Sequence, residues 1–140
     1  MMSQSQPTPE AILDRMRATL GTLPPAIQKA ATADPRMLVE QARSSAFAMP
    51  EDDAALSPQT RTLVYLAVAL ATGNRACTLA MLGKARGQRI RDAQLLEAFH
   101  IARYAQATQV LGNAEPLFDL LNARPAATAG GSAGSEGEAA

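Results

Sequence analysis

The stretch LSPQTRTLVYLAVALATG, Leu56 to Gly73, constrains the fold more than any other part of the chain. Ser57 offers a side-chain oxygen to free N–H groups, and Pro58 sits in the first helical turn, where a missing N–H costs nothing. From there to Ala71 the residues are apolar on nearly every side. A helix of that kind is surrounded by protein. Its longest apolar run, LVYLAVALA from Leu63 to Ala71, is nine residues, about half of what a bilayer crossing needs. The stretch predicts a core helix and no membrane span.

The flanking segments follow similar rules. Thr8 and Pro9 open a helix from about Pro9 to Leu20, with Ile12, Leu13, Met16 and Leu20 on one face and Gly21 closing it. Pro24 and Pro25 start a short helix to about Thr32, and Asp34 with Pro35 starts another to about Ala46. MPEDDAA, Met49 to Ala55, reads as a polar loop. After Gly73 breaks the central helix, Asn74 caps the next one, which carries Cys77, Ala80, Met81 and Ala85 and ends at Gly87. The pair forms a tight helical hairpin.

A long helix follows from about Asp92 to Leu111, ended by Gly112 and Asn113. Leu95, Phe99, Ala102, Ala105 and Gln109 mark one stripe; Leu96, His100, Tyr104, Ala107 and Leu111 mark a second. Two apolar faces on one helix imply a core on one side and another subunit on the other. A last helix, Pro116 to about Ala123, presents Leu117, Leu120 and Leu121. No alternating strand pattern and no internal repeat occur. The predicted class is all-α, a compact bundle of six to seven helices in a single domain, 8–123. Residues 1–7 are expected to be a flexible N-terminus. The segment 124–140 is too poor in large apolar groups to repay ordering, and reads as a disordered Gly/Ala/Ser-rich tail.

A chain of 140 residues supports one core. Thirteen Lys plus Arg balance thirteen Asp plus Glu, which argues against general nucleic-acid binding. Lys84, Arg86, Arg89 and Arg91 are followed by Asp92 and Glu97 and read as a solvated helix end in preference to a phosphate site. The single Cys excludes an internal disulfide and a zinc site built on several thiolates. The absence of a charged, apolar leader predicts a cytoplasmic protein.

The hairpin, with LLEAFHIARYAQATQVLGNAEPLF after it, resembles the carboxymuconolactone decarboxylase and alkylhydroperoxidase D-like superfamily. The shared pattern is a proline-initiated apolar helix, a Gly-containing turn, a helix opening with the Cys region, a long Ala-rich helix and a final amphipathic one. It covers about Leu56 to Leu121. In the redox branch of that family the turn carries C-x-x-C, a His four residues later and a Glu about twelve residues before. Two thiols at a helix start exchange a disulfide while Glu and His relay a proton. On this chain the Glu falls at Thr62, the first Cys at Asn74, the second at Cys77 and the His at Met81. The two-cysteine cycle is therefore not expected, and the acid and base of the decarboxylase branch are not visible either. The resemblance also implies a homo-oligomer, a trimer or hexamer; no cofactor is expected.

Two functions follow. One is a divergent, non-catalytic member acting by small-molecule binding or assembly with a protein partner. The other is a one-cysteine redox protein in which Cys77, near the start of its helix and close to Arg75, forms a sulfenic acid with His100 as a base. The structural reading is preferred for both, Cys77 as a small buried hydrophobe and His100 as a structural residue at a carbonyl or subunit contact. A lone His makes a poor metal site, so no metal is expected. Tyr65 and Tyr104 are pocket-lining candidates or buried hydroxyls with one partner each.

Overall fold

The computed structural model describes residues 7–123. Among them are seven α-helices: α1 (Pro9–Leu20), α2 (Pro25–Ala33), α3 (Arg36–Ala48), α4 (Pro58–Ala71), α5 (Arg75–Gly87), α6 (Asp92–Asn113) and α7 (Glu115–Asn122). The all-α class holds. Most of the expected N-terminus and the expected tail from Arg124 onward lie outside the described residues.

The chain divides into two units, one up to Gln106 and the other from Ala107. In the first, α4 and α5 make the most extensive helix pair, while α1 packs on α3 and α5, and α2 on α3. Its small core takes Ile12 from α1, Leu38 from α3, Leu66 and Ala69 from α4, and Met81 and Ala85 from α5. The second unit holds the end of α6 and α7, whose Leu117, Phe118, Leu120 and Leu121 are exposed.

The caps follow the sequence at three places. Thr8 Oγ1 accepts from Ala11 N, Ser57 Oγ from Thr60 N, and Asn74 Oδ1 from Cys77 N. Asp34 differs: Pro35 occupies the cap position, and the Asp34 carboxylate instead accepts from both the backbone N and the Nε of Arg36. That arrangement holds its carboxyl below the usual range, the Arg36 side-chain bond being the largest cause.

Two helix ends share one closure. Asn74 N donates to Ala69 O after α4, and Ile90 N donates to Ala85 O after α5. Each is the six-to-one bond of a Schellman motif, which places the residue before the donor in left-handed backbone. Gly73 meets that demand at φ 69°, but after α5 it falls on Arg89, at φ 55°. Gly87 ends α5 without taking the left-handed position. Gly83 serves a different purpose: a Cβ there would come 2.9 Å from the Leu20 carbonyl oxygen, so its bare backbone lets α1 and α5 approach.

α4 buries Thr62, Leu66 and Ala69, while Val64, Tyr65, Val68 and Leu70 stay exposed. The helix expected to be covered all round is covered on one side within one chain. α6 also differs from the expected stripes. Ala98 and Ala102 are buried and Leu95 and Gln106 half-buried, whereas Phe99, Ala105 and Gln109 are exposed. Small side chains at i and i+4 bring a helix close to its neighbour, and they set the buried stripe here. The Gln106 amide donates to the Ala71 carbonyl and ties α6 to the end of α4.

Candidate functional site

Cys77 is half-buried in the first turn of α5. Asn74 fixes that turn by accepting from the Cys77 backbone N–H at 3.0 Å. Across the hairpin, the Tyr65 hydroxyl lies 3.4 Å from Cys77 Sγ. The hydrogen bond to the thiol is the main reason the Tyr65 pKa is raised, with burial and the charge of Cys77 adding to it. Sulfur and phenol form one polar pair, built from two helices by the register of the hairpin.

The other motif positions serve the fold. Thr62 is fully buried; its Oγ1 lies 3.1 Å from the Pro58 carbonyl and 2.8 Å from Gln88 Oε1. A hydroxyl has one proton to give, so these two acceptors compete for it. Met81 is buried in the core. Asn74, at the position of a first cysteine, spends its side-chain oxygen on the cap. These side chains are held in place, and none carries a charge that could relay a proton.

His100 is exposed on α6, with its ring 5.3 Å from that of Phe99. It lies on one open face of α6 with Ala93, Leu96, Glu97, Ile101 and Tyr104. No hydrogen bond joins it to Cys77 among the described residues. Thus Tyr65 meets Cys77, whereas Tyr104 and His100 share a face of α6, and the two candidate tyrosines lie in different places. Among the described residues no three of His, Cys, Asp and Glu gather where they could hold a metal ion.

The hairpin carrying this site lies inside a longer match. The family model for the carboxymuconolactone decarboxylase family matches residues 38–119, more than half of the chain. The chain belongs to that family. The match begins at Leu38 in α3, earlier than the Leu56 expected from the hairpin alone, so the carboxymuconolactone decarboxylase segment takes in α3 and the polar loop before α4. No curated protein matches the chain.

Sequence reasoning did not single out Gln88, which holds Thr62, or Arg61, whose guanidinium donates to the Pro50 carbonyl through Nη1. Gln88 follows a helix end in a polar stretch and Arg61 opens an apolar run, so neither stands out before the hairpin register is known. Lys84, assigned from sequence to a solvated helix end, is half-buried. Burial first, and the charge of Arg61 second, push its pKa down.

Proposed function

We propose that this carboxymuconolactone decarboxylase family member is a non-catalytic cytoplasmic homo-oligomer, a trimer or hexamer, that acts by binding. The observation that carries this reading is the use made of Thr62, Asn74 and Met81: one holds a buried hydrogen bond, one caps a helix and one fills the core. Assembly is supported by the apolar groups that single copies leave wet. On α6 alone these include Leu96, Ile101 and Tyr104 along one side and Phe99 on another, and contiguous exposed apolar groups mark interaction surfaces.

The test is hydroperoxide consumption in the presence of a recycling dithiol, with Cys77→Ser as the control. Background consumption by both proteins is expected. Consumption by the native chain that disappears in Cys77→Ser would sink the proposal.

One observation favours a second reading, a one-cysteine peroxidase. The Tyr65 hydroxyl at 3.4 Å from Sγ is placed to give a proton as sulfur attacks. In that reaction the Cys77 sulfur takes one peroxide oxygen, the O–O bond breaks, and the departing alkoxide leaves as the alcohol. The product is a sulfenic acid, a gain of one oxygen on the chain. Intact mass after peroxide treatment reads that step directly.

A further inference from the structure

Part-way along the α4–α5 hairpin lie two cations that no ion pair among the described residues neutralises. Thr62 reaches Gln88 and Tyr65 reaches Cys77, so the helices run antiparallel; in that register Arg61 lies about level with Lys84, near enough for its charge to act on the ammonium. Both residues are half-buried. The ion pairs among the described residues, Arg15–Glu51, Arg17–Asp14, Arg36–Asp34 and Arg43–Glu40, use neither of them. Arg61 Nη1 donates to the Pro50 carbonyl, while its Nε is buried and meets no acceptor among the described residues.

Each of these features costs stability. A buried N–H without an acceptor forfeits its hydrogen bond to water, and two like charges drawn together out of solvent repel more strongly than in water. The lowered pKa of Lys84 has the same origin. One group cancels these costs. An oxyanion supplies negative charge between the two cations, an acceptor for the guanidinium fork and another for the ammonium.

We propose that Arg61 and Lys84 form a binding site for the oxyanion group, carboxylate or phosphate, of a small molecule. Nε is closed off in this structure, so filling the site requires the segment between α3 and α4 to yield around Pro50. That segment is held by the Arg61–Pro50 hydrogen bond and an exposed ion pair between Arg15 and Glu51. The proposal names a ligand class for the binding role above and rests on that reading. Its test measures binding alone, so the peroxide assay can fail or succeed separately.

The experiment titrates the full chain with inorganic phosphate and, separately, with succinate, against chloride at matched ionic strength. Lysine labelled with ¹³C at Cε serves as the probe, because the chain has only Lys29 and Lys84. A saturable shift of the Lys84 signal with Lys29 unmoved is expected, together with a rise in Tm. Which anion saturates first distinguishes a phosphate from a carboxylate ligand. Lys84→Gln and Arg61→Lys should each weaken binding about tenfold or more, and Lys84→Gln should unfold at a higher temperature than the native chain when chloride is the only anion.

Three results would overturn the site: no saturation by either anion, equal binding by Lys84→Gln, or a fall in oligomer size in Lys84→Gln without anion binding to the native chain. The last would assign the missing carboxylate to a neighbouring copy.

Discussion

The proton on Tyr65 and the proton on Lys84 pull the pH profile of stability in opposite directions. The folded-state pKa of Tyr65 is raised above its ordinary 10.0. Its contribution is therefore complete below that value and is lost as pH rises through the folded one. Lys84 is lowered from 10.5, so it costs stability below its folded value, and that cost fades as pH rises toward the unfolded one. Tyr65→Phe should accordingly lose less stability than the native chain on going above pH 10, and Lys84→Gln should lose the native chain's gain between neutral and alkaline pH. Urea unfolding across that range checks both. Thr62→Val keeps the shape but gives up the bond to Gln88, and should cost about 1 kcal/mol by the same measurement. The sequence placed Cys77 at the start of a helix. Its contact with Tyr65 was not legible, because twelve positions separate the two and hydrophobic periodicity does not encode the register of a hairpin.

The helices themselves were readable because proline, glycine and capping side chains mark their ends. α1 and α4 run as the sequence predicts, from Pro9 to Leu20 and from Pro58 to Ala71. What periodicity could not reveal is the division of labour among the glycines of α5. Gly83→Ala should destabilise the chain by about 1–3 kcal/mol, because the added methyl meets the Leu20 carbonyl on a backbone that cannot swing aside. Gly87→Ala meets open space and should stabilise by about 0.5–1 kcal/mol. Arg89→Gly should also stabilise, by about 1 kcal/mol, since it releases a left-handed residue from strain. Thermal unfolding of the three variants would order them, and a harmless Gly83→Ala would contradict the close crossing of α1 and α5.

For the whole molecule, the balance of buried and exposed apolar groups is the governing fact. Phe47 is 90% exposed and Ile101 60%, while the core of the described residues includes several alanines. Sequence alone marked α4 as a core helix, apolar all round, and α6 as two-faced, from which a second subunit was expected; it did not show which residues of α6 turn inward. Ile101→Asp puts a charge in the middle of the exposed α6 face and should shift sedimentation from an oligomer toward the monomer. An unchanged sedimentation coefficient would mean that the native chain is not an oligomer or that its interface does not use this face. The chain contains no tryptophan and two tyrosines, so its ultraviolet emission comes from Tyr65 and Tyr104. One ring is 75% exposed on α6, and the other shares a hydrogen bond with a sulfur. Chemistry at Cys77 therefore alters the light of one fluorophore and leaves the other as a reference, giving the native protein an optical gauge of its thiol without any added dye.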